Sequence, residues 1–360
     1  MSKKKIITVL GARPQFIKAS IVSKIMEKSK KIQETIIHTG QHFDANMSDI
    51  FFEELSLKSP KYNLSIAGLS HGALTGRMLE GIEKILIKEN PDMVLIYGDT
   101  DSTLAGSLAA SKLDIPLAHV ESGLRSNNFS MPEEKNRIVA DSLSQLLFCP
   151  SKYAVQNLKK ENITDGVSLV GDVMYDLIKI KKKELSGSDY LKDINLTEKN
   201  YALCTIHRKE NTNNPKRLKS IFRALNIISK KIPIVLPIHP RTKAIIKDSK
   251  IKPGKGILVI EPQAYLNFLR LQTGAKFILT DSGGLQKEAF FNSVPCITLR
   301  DETEWRETEE SGWNNIVGSE TSDILDAWSN LSQQERKENF FPYGKGDAST
   351  KIVEGMLNYL

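Results

Sequence analysis

Several short polar stretches in the first half of the chain carry residue types suited to proton transfer and phosphate binding. In Gly11-Ala12-Arg13-Pro14-Gln15-Phe16-Ile17-Lys18, the glycine permits a tight turn and Pro14 suits the first turn of a helix. Arg13 and Lys18 fall near that helix N-terminus, the end that attracts phosphate. A generic strand-to-helix turn with exposed cations accounts for the stretch equally well. Gly98-Asp99-Thr100-Asp101-Ser102-Thr103 crowds acids and hydroxyls at another helix start; capping uses one acid and leaves the other over. His119-Val120-Glu121-Ser122-Gly123-Leu124-Arg125 puts Glu121 at a strand end, where an acid has little packing purpose. In Met131-Pro132-Glu133-Glu134-Lys135-Asn136-Arg137, at least one of the adjacent glutamates complements the dipole of the helix that Pro132 opens. The chemical reading is that three loops deliver Asp99, Glu121 and Glu133 to one cleft. Crowding like charges there is a way to shift a carboxyl for acid–base work.

The second half offers Thr205-Ile206-His207-Arg208-Lys209-Glu210-Asn211 at a strand end. A lone histidine is more often structural, but His207 stands in a polar loop beside Arg208, which favours a phosphate or proton-transfer role. Thr280-Asp281-Ser282-Gly283-Gly284-Leu285-Gln286-Lys287-Glu288 has the composition of a phosphate cradle, with bare backbone N–H groups and a hydroxyl at a helix start. Glycine-rich turns are common, so this stretch alone is weak. Glu288, a turn further in, is suited to gripping ribose hydroxyls. His71-Gly72 and His239-Pro240 read as structure. The histidines never pair at ligand spacing, so no metal is expected, and the Gly-x-Gly-x-x-Gly and Walker patterns are absent, so no organic cofactor is expected either.

Elements that would present these loops follow from the apolar pattern. Ile6 to Leu10, Thr35 to His38, Met93 to Tyr97, Leu117 to Val120, Leu146 to Cys149 and Val167 to Val170 are strand-length apolar runs separated by helical patterns. A second series has Tyr201 to Ile206, Ile234 to Ile238, Ile257 to Ile260, Phe277 to Thr280 and Cys296 to Leu299. Unbroken runs indicate strands buried on both faces, as in parallel sheets, and the alternation indicates βα units. Between the series, Lys179 to Asn200 is rich in lysine and turn residues and reads as a linker or solvated helix end. The class expected is α/β, with two doubly wound domains facing across a cleft. The boundaries expected are residues 1–175, with a terminal helix at 345–360 packing back, and residues 176–344.

Composition narrows the partners. With 360 residues, 40% hydrophobic and 26% charged, the chain is long enough for two cores. A net charge of +7 suits an anionic ligand. The lysines are scattered without interleaved aromatics, which argues against nucleic acid. No apolar stretch reaches the roughly 18 residues of a membrane span. Cys149, Cys204 and Cys296 sit apart inside apolar runs, as buried free thiols do in a reducing compartment. The cytoplasm is the expected location.

Taken in order, GARPQFIK, GDTDSTLAGSLAA, HVESGLRS, MPEEKNR, VGDVMYD, DSGGLQKEA and LRDETEW resemble the non-hydrolysing UDP-N-acetylglucosamine 2-epimerase family over roughly residues 5 to 358. The resemblance implies two Rossmann-like domains in a glycosyltransferase-B-like arrangement with an interdomain cleft, a UDP-sugar substrate and a homodimer. It implies acid–base carboxylates at Asp99, Glu121 and Glu133, with Lys18 and His207 beside the chemistry. It puts phosphate binding at Arg13, a sugar-side contact at Arg137, and nucleotide contacts at Gln263, Phe268, Ser282, Gly283, Gly284 and Glu288.

Departures from the family pattern bear on substrate. The usual Arg-Pro-Glu reads Arg13-Pro14-Gln15. Thr303-Glu304-Trp305 lacks a nucleotide-side arginine, with Arg306 adjacent. The regulatory segment reads Gln41-His42-Phe43-Asp44, and Ser70 and His71 replace a usual Arg-Gln. These variants are similar to the branch acting on UDP-2,3-diacetamido-2,3-dideoxy-glucuronate, which makes the manno isomer for surface polysaccharide such as lipopolysaccharide or capsule. C2 bears no acidic proton, so UDP must depart from C1 as that proton leaves, giving a 2-acetamidoglycal to which UDP re-adds. Rival readings are a hydrolysing epimerase, which releases UDP and free sugar over time, a glycosyltransferase of the same fold, which leaves C2 unchanged without acceptor, and a silent nucleotide-sugar binding protein.

Overall fold

The computed structural model of the chain describes residues 2–41, 54–238 and 240–360. His42, Phe43, Asp44 and His239 therefore lie outside the described residues. The chain divides into two compact units, Met1–Leu177 with Phe341–Leu360, and Ile178–Phe340.

The first unit is built on a parallel sheet of β1 (Lys4–Leu10), β2 (Ile32–His38), β3 (Tyr62–Asn63), β4 (Met93–Tyr97), β5 (Leu117–Val120), β6 (Leu146–Cys149) and β7 (Val167–Leu169), in the order β3-β2-β1-β4-β5-β6-β7. Its central strands are the unbroken apolar runs of the sequence. Every residue of β4 and of β5 is buried, because helices cover both faces. Helix Asp101–Lys112 lays Ala105 and Ala109 into a core with Val9, Ile82 and Ile96. The chain winds outward to β2 and β3 on one side of β1, then returns to β4 on the other. The loops after β1 and β4 thus diverge, which makes their carboxyl ends the crevice of the sheet.

The second unit repeats the plan with β8 (Ala202–Thr205), β9 (Ile234–Pro237), β10 (Ile257–Ile260), β11 (Phe277–Thr280), β12 (Cys296–Thr298) and β13 (Asn314–Ile316), ordered β10-β9-β8-β11-β12-β13. Here the switch of direction falls between β8 and β11. The α/β class expected from the alternation is what the two sheets form. β3 and β13 are additions to the expected strands; both are short and polar, so no apolar run announces them.

The stretch read as a linker or solvated helix end begins as a helix end and is in part packed. Helix Val173–Glu184 runs on through the lysine cluster, and Leu191 and Leu196 are buried among Tyr201, Leu203 and Val235. A few apolar residues spaced through polar sequence suffice to anchor it, and that spacing has no clear period. The terminal helix Ala348–Tyr359 packs on helix Arg13–Ser29 within the first unit. Its own N-cap residue, Asp347, makes no side-chain cap bond. Asp176 serves instead, accepting from Ala348 N at 3.2 Å, Ser349 N at 2.7 Å and Ser349 Oγ at 2.6 Å. No helix among the described residues is long and apolar enough to cross a membrane. All three cysteines are buried and free.

Candidate active site

At the crevice of the first sheet the chain must turn sharply after β1. A Cβ at Gly11 would lie 2.0 Å from both Thr39 Oγ1 and Ser102 Oγ, so only glycine fits. Gln15, fully buried, organises this turn. Its Oε1 accepts from Gly11 N at 2.7 Å and Ala12 N at 3.0 Å, and its Nε2 donates to Tyr97 O at 2.9 Å and Thr103 Oγ1 at 3.0 Å. The departure from Arg-Pro-Glu is thus used in full, since a carboxylate has no hydrogen for the last two contacts. The helix that follows presents half-buried Arg13 and Lys18 near its start.

Lys18 Nζ meets Glu121 Oε1 at 2.6 Å, with both side chains about a tenth exposed at 12% and 9%. Glu121 holds φ at +73°, a left-handed conformation unusual for a residue with a Cβ and a local strain that functional loops retain. Its amide donates to Phe148 O at 3.1 Å, which ties the loop to β6. Gly98, also left-handed at +61°, turns the chain after β4 so that Asp99 stands at the edge. Asp99 is paired with the Arg137 guanidinium. Arg137 also donates to Glu134 Oε2 at 2.9 Å, and Glu134 is buried, accepting from Ser126 N, Ser126 Oγ and Asn127 N. Asn136 Nδ2 donates to Asp99 O at 3.0 Å and Asp101 Oδ1 at 3.3 Å. Asp101 in turn pairs with His71 Nδ1 at 3.0 Å. Gln41 accepts from Ser102 N and Oγ, which docks it on the same helix start.

The structure therefore gives Asp99 and Glu121 a cation each, where the sequence suggested crowded acids. Glu133 is exposed, and its neighbour Glu134 takes the structural role at the helix start.

Below these loops lies a buried charge network. His119, on β5, is 2.7 Å from Asp141 through Nδ1 and 2.7 Å from the Gly98 carbonyl through Nε2. Asp141 also accepts from Gly123 N at 3.1 Å and Arg125 at 2.7 Å. Burial alone would raise the Asp141 carboxyl, but His119 and Arg125 hold it below its ordinary value. Burial likewise works against the charge on Arg125, but the carboxylates of Glu161 and Asp141 hold its pKa above the ordinary arginine value. The Cys149 thiol nearby is pushed up to about 12 by burial, which makes it inert.

In the second unit the loops after β8 and β11 meet at Asp281, which is fully buried. It accepts from His207 N at 3.0 Å, Arg208 N at 3.0 Å and Asn211 Nδ2 at 3.2 Å, and the His207 ring Nδ1 lies 3.3 Å away. The His207 side chain is half exposed. Ser282 caps helix Gly283–Phe291. A Cβ at Gly283 would strike Glu304 Oε1 at 2.3 Å, whereas one at Gly284 meets nothing within 4 Å. Arg300 pairs with Glu304 at 3.0 Å beside this turn. Glu288 accepts from buried Gln272 at 2.6 Å, and Gln263 accepts from Tyr190 OH at 2.6 Å. Phe268 packs at the margin of the core. Trp305 is buried, with the Lys287 ammonium 3.9 Å over its ring.

Gln15, Asp141, Gln272 and Asp281 are organisers to which the sequence assigned no such role. Apart from Gly11 and Ala12 beside Gln15, their partners lie 16 or more residues away, and the only signal was a polar residue inside or beside an apolar element. Among the described residues no cluster of three His, Cys, Asp or Glu is placed to hold a metal.

Residues 24–357 match the family model for UDP-N-acetylglucosamine 2-epimerase. The chain is 48% identical over 360 residues to a UDP-N-acetylglucosamine 2-epimerase homolog of Methanococcus maripaludis, covering 98% of this chain and 99% of that one. It is 47% identical over 354 residues to the UDP-2,3-diacetamido-2,3-dideoxy-D-glucuronate 2-epimerase of Pseudomonas aeruginosa, covering 97% and 98%. The fold is similar to the crystal structure of Methanocaldococcus jannaschii UDP-GlcNAc 2-epimerase in complex with UDP-GlcNAc and UDP, with a TM-score of 0.89 at 44% identity over 99% of this chain and 100% of that one. With the match running through both sheets and every loop just described, the chain belongs to the UDP-N-acetylglucosamine 2-epimerase family.

Proposed function

We propose that this protein inverts C2 of a UDP-linked 2-acetamido sugar without hydrolysing it, and that its preferred substrate is the 2,3-diacetamido uronate. The observation that carries the reading is the strained Glu121 locked to Lys18 on one loop, with a second carboxylate, Asp99, matched to Arg137 on the next. Two cation-matched acids on separate loops are suited to serving opposite faces of one carbon. In the reaction, a carboxylate takes the C2 proton, the C2–H electron pair forms the C1=C2 double bond, and the C1–O pair leaves with UDP. In the return step a UDP oxygen adds to C1, and a second acid delivers a proton to C2 from the other face. Asp99 is the first choice for abstraction and the Lys18–Glu121 pair for return, with Glu133 the remaining acid of the set.

Departing UDP gains negative charge, which Arg13, His207 and the Ser282-Gly283-Gly284 turn are suited to stabilise. Gln263, Phe268 and Glu288 serve the uracil and ribose, and Arg137 the sugar side. No cofactor enters this chemistry. The product suits polysaccharide assembly, the enzyme is expected in the cytoplasm, and the functional form is a homodimer.

In D₂O, product carries deuterium at C2, because protons on exchangeable carboxyls mix with solvent. Slow appearance of free glycal and UDP accompanies it. Epimerised product with no deuterium at C2 would point instead to a shielded transfer or a transient oxidation, and stoichiometric UDP with free sugar would indicate a hydrolase.

A further inference from the structure

His119 is wholly buried, and both of its ring nitrogens face acceptors. Nδ1 lies 2.7 Å from Asp141 Oδ1 and Nε2 lies 2.7 Å from the carbonyl oxygen of Gly98. Turning the ring over would put Cδ2 and Cε1 opposite those oxygens and forfeit both contacts, so the ring is held as it stands. A neutral imidazole has one N–H and one bare lone pair. In a neutral ring that lone pair would confront one of the two oxygens at hydrogen-bond distance in a wholly buried site. Arg125 and Gly123 N hold Asp141 ionised, so both contacts are attractive only when both nitrogens carry hydrogen.

The surroundings are built for that state. Asp141, from helix Pro132–Leu143, supplies the counter-charge, and its second oxygen accepts from Arg125 and Gly123 N. Arg125 is balanced in turn by a two-pronged bond to Glu161, with both contacts at 2.7 Å. Cys149 and Ser122, also packed nearby, are uncharged.

The network also ends at informative places. The Gly98 carbonyl belongs to the residue just before Asp99, and Gly123 lies two residues after Glu121. The Gly98 amide is tied back to Val120 O at 3.0 Å. We infer that His119 is a doubly protonated cross-brace, a positioning residue whose two N–H bonds fix the loop bearing Asp99 relative to the loop bearing Glu121. It touches no substrate itself. Displacing one acid by about 1 Å is enough to cost about 10²-fold in turnover.

The kinetic part of the test rests on the epimerase reading; the structural part does not. Neutron diffraction from wild-type crystals soaked in D₂O at neutral pH is expected to show deuterium on both His119 ring nitrogens. A bare nitrogen overturns the inference. His119→Asn offers one donor and one acceptor, so one contact survives and the other turns repulsive. It is expected to lower kcat by about 10²-fold with KM within about three-fold of wild type, and Asp141→Asn to behave in the same way. A folded variant of either kind with near wild-type kcat overturns the positioning role, even where its melting temperature falls. Should both variants fail to fold, the neutron map decides. Wild-type protein inactive on every UDP-sugar would defeat the proposed reaction and leave that map to stand on its own.

Discussion

Asp99 and Glu121 differ in their partners, and that difference sets what each substitution leaves behind. Asp99→Asn leaves the Arg137 guanidinium facing an amide, and Glu121→Gln strands the Lys18 ammonium at the sheet edge. Each is expected to lower turnover by about 10²-fold or more, the low end of acid–base contributions. Glu133→Gln is expected to do the same with no loss of stability, since its side chain is exposed. Glu134→Gln is expected to cost roughly 1–3 kcal/mol of stability, because a buried acceptor of Ser126, Asn127 and Arg137 contacts is replaced in part by a donor. Initial rates and thermal melts of the four variants separate the roles. Full turnover in the first three, all folded, would defeat the carboxylate mechanism. The adjacent glutamates were indistinguishable in sequence, because the helix start that Pro132 announces accepts an acid at either position. Only the packed loop decides which carboxylate the Ser126 and Asn127 amides take up.

At the scale of the element, the first two positions of helix Gly283–Phe291 have opposite surroundings. Gly284 opens onto space while Gly283 abuts Glu304. Gly284→Ala is therefore expected to keep or slightly raise the melting temperature, since alanine suits a helix better by about 0.5–1 kcal/mol. The same methyl is expected to weaken UDP binding by about ten-fold if phosphate lies against the bare backbone. Calorimetric titration with UDP checks this, and undiminished affinity would remove the turn from the site.

The terminal helix depends on a cap from outside itself. Burial raises the Asp176 carboxyl above its ordinary value, against the lowering effect of its bonds from Ser349 and Ala348. Its folded-state pKa therefore exceeds the unfolded value of about 3.9. The folded protein binds that proton more tightly, so this group favours folding at low pH. Its contribution is lost as pH rises through the carboxylate range. Relative to Asp176→Asn, which cannot titrate, wild type is expected to gain stability as pH falls from about 7 toward 4. Denaturant melts of both proteins across that range measure it, and a constant difference would contradict the assignment.

For the whole molecule, what counts is the choice among UDP-sugars and its control. The relatives include enzymes named for both substrates, at 47% and 44% identity. Where the resemblance implies arginine and glutamine, this chain has Ser70 and His71, both exposed, with His71 paired to Asp101. Each charge-assisted hydrogen bond to phosphate is worth roughly 1.5–3 kcal/mol, so losing one weakens a second nucleotide-sugar site. Rates are expected to be hyperbolic, unaffected by added UDP-N-acetylglucosamine, with higher kcat/KM for the diacetamido uronate. Sigmoidal rates on UDP-N-acetylglucosamine and no turnover of the uronate would reverse that assignment.

The α/β class was readable from the chain alone, because strands buried on both faces need unbroken apolar runs such as Met93 to Tyr97. Loop chemistry was readable too, since glycine, proline and capping residues act over a few positions. Strand order is another matter. That β1, β4 and β5 lie in that order, and β8 beside β11, brings Lys18 to Glu121 and His207 to Asp281 across separations of 103 and 74 residues. No local pattern encodes such a pairing; it follows from how the wound sheet closes its core. The same closure decides that Asp99 and Glu121 each meet a cation, and that Gln15 and His119, ordinary polar residues within apolar elements, become the braces of the loops above them.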